Sequence, residues 1–178
     1  MGFNFSRNPW LTVCTAGALL VLLALGTWQV QRLFWKEALI ATAEARLKEE
    51  PTALPEGADG AALEYRRINV TGSFAHEKEI HLGVRYRKGV VGYAILTPMK
   101  LADGRWLLVN RGWVPPEKRD PETRKETQLP GEVSLAVMIR APKKKGYFVP
   151  ENNLAKNYWF YVDMAQAREF TGLELLPF

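Results

Sequence analysis

The sequence predicts an N-terminal transmembrane α-helix followed by an α+β domain dominated by an antiparallel β-sheet curled towards a barrel. Three observations carry that expectation. The stretch Asn8 to Gln31 contains no charge, short strand-like segments separated by turn residues fill most of the chain after Gly60, and no regular helices alternate with those strands. The length of 178 residues allows one domain plus an appendage. At 47% hydrophobic and 24% charged residues the composition is that of a folded chain. A net charge of +5 is a mild excess and gives no argument for nucleic acid. The lone Cys14 excludes an internal disulfide and a cysteine zinc cage.

The first element is the clearest. Trp10 to Trp28 reads WLTVCTAGALLVLLALGTW, about 28 Å as a helix at ~1.5 Å per residue and close to the ~30 Å hydrocarbon core. Its terminal indoles suit the headgroup level, and Arg7 and Arg32 flank it. Residues 1–31 therefore form the N-terminal segment and span. Residues 32–50 continue the helix into water, with Leu33, Ile40 and Leu47 on one face among charges and Pro51 as the stop. Pro51 to Gly60 has the composition of a linker.

Residues 61–178 form the second domain. Ile68, Val70 and Gly72 alternate with polar residues, and Glu79 to Arg85 is a second short strand. Val90 to Lys100 and Arg105 to Val114 flank Asp103-Gly104, a pair favoured in type I′ hairpin turns. Val133 to Arg140 and Tyr158 to Val162 complete the strands. Asp163 caps a short helix, Met164 to Phe170, which Gly172 ends. Between them Pro115 to Pro130 carries seven charges from Glu117 to Lys125 and reads as a solvated surface loop.

Catalytic patterns are absent. There is no nucleophile elbow, zinc-protease helix, P-loop or dinucleotide fingerprint. His76 and His81 are the weak candidates for cofactor binding. On one continuous strand their odd spacing would send them to opposite faces, so they could not chelate one ion together, and no metal site is expected. Lys143-Lys144-Lys145 reads as a basic turn able to meet anionic headgroups.

What stands out is aromatic and rich in asparagine: Asn110-Arg111-Gly112-Trp113 at a strand end, and Asn152-Asn153 ahead of Asn157-Tyr158-Trp159-Phe160-Tyr161. Such residues either hold loops through side-chain-to-backbone bonds or line a binding surface. GTWQVQR (with Trp28 and Gln29), GY in GVVGYAILTPM (Tyr93), VNRGWVP (Asn110, Arg111, Gly112, Trp113), DPETR (Pro121, Glu122, Thr123, Arg124), FVPENN (Pro150, Asn152, Asn153) and N-x-W-x-Y-x-D (Asn157, Trp159, Tyr161) follow one another along the chain. Together they resemble the Surfeit locus family, from Gly26 to the last residue.

That resemblance implies a membrane-anchored, non-enzymatic assembly factor for cytochrome c oxidase that assists maturation of subunit I. It implies haem a as a possible cofactor in some bacterial members, subunit I and haem A synthase as partners beside membrane lipid, and no nucleic acid. It places the main domain on the periplasmic side of a bacterial inner membrane. Lys and Arg near the span slightly favour the opposite orientation, by Arg32 and Lys36 against Arg7. Relatives continue past Phe178 into more strand and a second span carrying the family histidine, so this chain is expected to be a C-terminally truncated bacterial member. The competing readings are a tethered periplasmic binding module working through Trp106, Trp113 and Trp159, and an enzyme with an unrecognised site around Asp120, Glu122 and Arg124. The apolar run itself gives a first test. Full-length protein should stay in the pellet after alkaline carbonate extraction of membranes, and recovery in the supernatant would end the transmembrane reading.

Overall fold

The computed structural model describes residues 9–57 and 59–178, in two compact units that divide between Ala45 and Arg46. Residues 1–8 of the expected N-terminal segment, Arg7 among them, lie outside the described residues. Helix α1, Pro9–Lys48, is a single helix of 40 residues, so membrane-length run and extension form one element. None of its residues is buried. Its apolar stretch is long and hydrophobic enough to cross a membrane.

The second unit is built on a six-stranded sheet: β1 Thr52–Ala53, β2 Arg67–Phe74, β3 Ile80–Arg87, β4 Val90–Leu101, β5 Trp106–Val114 and β6 Glu132–Met138. The strand β4 is the spine. One side pairs with β5 from Tyr93 to Lys100, and the other pairs first with β3 and then, over Met99 to Leu101, with β2. β2 carries β6 on its far edge through seven residue pairs. All of these ladders are antiparallel. The exception is β1, which lies parallel to Ile68–Asn69 inside the stretch expected to be linker. The sheet remains open, with β5 and β6 at its two ends, and closes into no barrel among the described residues.

Both faces of the sheet are covered. One bears Ile68, Val70, Met99, Leu101 and Leu107 in a core that also takes Ile139 and Phe178. The other bears Ile80, Leu82, Ala94 and Leu96 against Trp159, Ala167 and Leu175. The last two groups come from the second helix, α2 (Met164–Thr171), and the segments beside it. The helix starts as expected, with the Asp163 carboxylate accepting from the Ala165 and Gln166 amides, and ends on Gly172 at φ +66°. The expected strand Tyr158 to Val162 makes only isolated bridges, Leu82 to Trp159 and Asn153 to Tyr158, because its backbone turns after two pairings.

The hairpin over Asp103-Gly104 forms, but with a different turn. Among residues 102–104 only Gly104 has positive φ, at +87°, and the Gly104 amide bonds the Leu101 carbonyl. That is a three-residue loop ending in a left-handed glycine, fixed by Asp103 accepting from the Arg105 amide and guanidinium. The type I′ turn sits instead at Lys88 (φ +50°) and Gly89 (φ +79°), between β3 and β4.

Where β2 crosses β4 the backbones approach too closely for a side chain. A Cβ on Gly72 would land on the Lys100 carbonyl oxygen. Gly72→Ala should therefore cost about 1–3 kcal/mol through forced backbone movement, seen as a lower thermal midpoint. Gly17→Ala, with nothing within 4 Å of its Cβ, should leave the melt unchanged. A Gly72→Ala protein melting like wild type would show that this crossing is not constrained.

Candidate functional site

Up to the register shift after Leu82, odd-numbered residues of β3 and β4 share one face, and past the apolar core that face becomes polar. It presents Glu79, at the entry to β3, with His81 and Tyr93. The segment Pro115–Pro130 folds over it as two short 3-10 turns, Pro116–Lys118 and Pro121–Thr127. Asp120 caps the second turn by accepting from the Glu122 amide, and Pro121 takes its first position, which needs no donor. A kink at Arg124, with φ −144° inside the turn, swings that side chain inward.

The result is a buried charge cluster. Glu79 is 3% exposed, Arg124 4% and His81 7%. Glu79 Oε1 accepts from Arg124 Nη2 and from His81 Nε2 at 2.7 Å. The His81 tautomer follows from its other nitrogen, because Arg119 Nε donates to Nδ1 at 3.2 Å. Arg124 also donates from Nε to the Lys118 carbonyl at 3.0 Å. Arg119 lies over the Tyr93 and Tyr158 rings at 5.1 and 5.8 Å and reaches the Lys156 and Asn157 carbonyls. Burial pushes the Glu79 carboxyl up. The hydrogen bonds from His81 and Arg124, and the Arg124 charge, outweigh it and hold the group below the ordinary carboxylate value.

A neighbouring arginine is set by a β-bulge. Ile95 faces Gly112 and Leu96 faces Asn110, so Arg111 is the extra residue. Gly112 accepts the φ of +115° that the bulge needs, and the Asn110 side chain receives its amide. Arg111 thus points over the Phe74 ring at 5.0 Å and donates to His76 Nδ1 at 3.0 Å and to the Thr127 carbonyl. Burial first, then the nearby Arg124 charge, lowers its pKa, with Glu79 acting in the opposite direction. A hollow of about 280 Å³ lies beside Arg111, Trp113, Lys118 and Arg124.

The charge-rich segment is therefore no simple solvated loop, because two of its arginines are spent inside. The two histidines do not share one strand, since His76 lies in a 3-10 turn and His81 in β3. All four of their ring nitrogens are engaged, with His76 Nε2 reaching the Leu129 carbonyl.

The other motif residues mostly hold segments together. The Asn157 side chain, at φ +47°, donates to the Glu79 carbonyl and accepts from the His81 amide and Trp159 Nε1. Asn152 accepts from Phe160 and donates to the Tyr161 carbonyl and Gln166. Asn153 caps the turn that begins at Leu154 by accepting from the Lys156 amide. Trp159 is 1% exposed and belongs to the core. Trp113 donates to the Arg85 carbonyl, and Tyr161 to Glu151. Thr123 bonds the Asp120 carbonyl, while Glu122 pairs with Lys125 at the surface. Pro150 is exposed. Trp28 and Gln29 lie in α1, where Arg32 stacks over the Trp28 ring at 5.3 Å. Glu79, Arg119 and Phe74 were not singled out from sequence. The available signal was the two-residue spacing of Glu79 and His81, which puts them on one strand face.

The pattern defining the SURF1 family matches residues 16–178. Surfeit locus protein 1 of Homo sapiens is 41% identical over 167 residues, covering 84% of this chain and 56% of the human protein. A SURF1-like protein of Monosiga brevicollis is 41% identical over 156 residues, covering 81% and 60%. A SURF1-like protein of Drosophila melanogaster is 37% identical over 166 residues, covering 83% and 55%. The chain thus spans little more than half the length of these relatives.

Glu79 gives the sharpest test of the cluster. Its folded pKa is depressed, so its contribution is fully present above the unfolded value near ~4.3 and is lost as pH falls through the folded value. Glu79→Gln strands Arg124 and should cost about 3–5 kcal/mol near neutral pH. The deficit should shrink in acid, below the ordinary glutamate pKa. Equal deficits at pH 7 and in acid, in chemical denaturation, would show that the ionised pair is not what matters.

Proposed function

This chain belongs to the SURF1 family, and we propose that it is a membrane-anchored assembly factor for cytochrome c oxidase, assisting maturation of subunit I. The observation that carries the proposal is the family match along residues 16–178, which takes in most of α1 and the whole sheet domain. In this reading α1 anchors the chain in a bacterial inner membrane with the sheet domain on the periplasmic side, the placement that family resemblance favours over the small excess of Arg32 and Lys36. The partners are subunit I and haem A synthase. The polar cluster then has a holding role, fixing the Pro115–Pro130 segment as a rigid surface.

Haem a is the cofactor that the resemblance brings to mind, and the described residues do not fit it through a histidine. Both nitrogens of His76 and of His81 are already hydrogen-bonded within the domain, so neither supplies an axial ligand without breaking the cluster. The function proposed for this chain is accordingly protein binding rather than haem ligation.

The test is an affinity pull-down of the tagged chain from solubilised membranes. Subunit I, with or without haem A synthase, should be enriched over unrelated envelope proteins. Enrichment of neither, from membranes that contain both, would overturn the assembly reading.

A further inference from the structure

The hollow at the polar end of the sheet is walled without the chain's last segment. It holds about 280 Å³, and every residue that lines it lies between Ile95 and Thr127. It forms where the Arg111 bulge of β5 meets the Pro115–Pro130 segment. Ile95, Trp113, Val114 and Pro115 make much of the lining apolar. Arg111, Lys118 and Arg124 add three cations, against the single carboxylate of Glu126 among the described residues.

Those cations are unequally answered. Arg124 is paired with Glu79, and Lys118 lies 3.9 Å from Glu126. Arg111 has no carboxylate partner among the described residues, since its guanidinium meets a histidine nitrogen, a backbone carbonyl and the Phe74 ring. Burying a cation without a counterion is costly, and the Arg124 charge nearby adds to that cost, so the Arg111 pKa falls. The lining therefore leaves one positive charge unanswered.

Donors are left over as well. Arg111 bonds through Nη1 and Nη2, and Arg124 through Nε and Nη2. Arg111 Nε and Arg124 Nη1 are thus unspent among the described residues. On a side chain only 4% exposed, as Arg124 is, an unused donor calls for an acceptor. Lys118 Nζ donates to the Thr123 carbonyl and has further protons to give.

We infer that the hollow is a binding site for a small monocarboxylic acid, its carboxylate taken by Arg111 and the two neighbouring cations and its apolar body set against Trp113, Val114 and Pro115. One unanswered charge suits a monoanion better than a phosphate dianion. At about 280 Å³ the hollow falls at the small end of ligand cavities, which start near ~300 Å³, and so suits a free acid better than the bulkier end of a polypeptide.

The test measures uptake of radiolabelled benzoate by the full chain in detergent, by equilibrium dialysis against a detergent-only blank, and needs no oxidase component. Uptake should saturate at about one benzoate per chain. Neutral benzamide, close to it in shape, should compete roughly tenfold more weakly, and acetyl-alanyl-phenylalanine should also bind more weakly than benzoate. Arg111→Gln should weaken benzoate roughly tenfold. Arg111 also braces the bulge, so the second variant is Glu126→Gln at an exposed position. It removes the opposing carboxylate and should tighten benzoate roughly threefold, a gain that no folding defect produces. Uptake no greater than the blank's, or benzamide competing as well as benzoate, would overturn the site. So would benzoate affinity unchanged in both variants. The acetylated dipeptide binding more tightly than benzoate would give the hollow to the end of a partner chain and equally overturn the proposal.

Discussion

The buried pair of Glu79 and Arg124 is the constraint from which the arrangement of the domain follows. Removing a carboxylate and a guanidinium from water costs several kcal/mol per ion, and attraction alone seldom offsets it. Here the deficit is met by added bonds: His81 shares the same carboxylate oxygen, and the Lys118 carbonyl takes a second nitrogen of Arg124. Glu79 Oε2 remains buried without a partner, so even this well-connected pair is incomplete. A cluster with such a narrow margin contributes less to net stability than to register. Few other placements of the Pro115–Pro130 segment would leave the carboxylate paired, because a slip of one residue carries Arg124 away from Glu79.

From that pair the order spreads in two directions. Through His81 and Arg119 it reaches the rings of Tyr93 and Tyr158 and the carbonyls of Lys156 and Asn157, tying the charged segment to the chain beyond β6. Asn157 returns the connection by bonding the backbone on either side of Ile80, and Trp159 inserts beneath it into the second core. Arg111 forms the other branch, held by a bulge and resting on Phe74. Three arginines at 111, 119 and 124 thus do for the polar end of the sheet what Met99, Leu101 and Leu107 do for the apolar end.

Much of this was legible where the signal is local. The apolar run, the alternation in β2, the Asp163 cap and the Gly172 stop each depend on residues a few positions apart, and each appears as read. The hairpin at Asp103-Gly104 was placed correctly, but its turn type was not. Asp103 keeps an ordinary φ because its side chain caps Arg105, while Lys88-Gly89, a pair with no obvious turn signature, takes both left-handed positions. The polar cluster was hidden for a different reason. Glu79 and Arg124 lie 45 residues apart, and a charge within a charged stretch looks the same in sequence whether it is solvated or buried. The short β1 escaped because its pairing is with the distant Ile68 and Asn69 rather than with any neighbour. Asn152, Asn153 and Asn157 were recognised as unusual, and the choice between holding loops and lining a surface needed their partners.

The sheet's inner face therefore changes character along its length, and the change has a mechanical consequence. At the polar end each strand is fixed by side chains from a covering segment, and Gly83 accommodates the Tyr158 ring at close range. At the apolar end the outer edge of β5 is met among the described residues only at Trp106, by Leu175 and Leu176, and four branched residues there are half covered. An outer strand on a soft sheet would fray, whereas one carried on a braced sheet keeps a constant spacing and direction. The ion cluster thus acts beyond its own end of the sheet, because a braced spine also fixes the direction of the strands it carries at the apolar end.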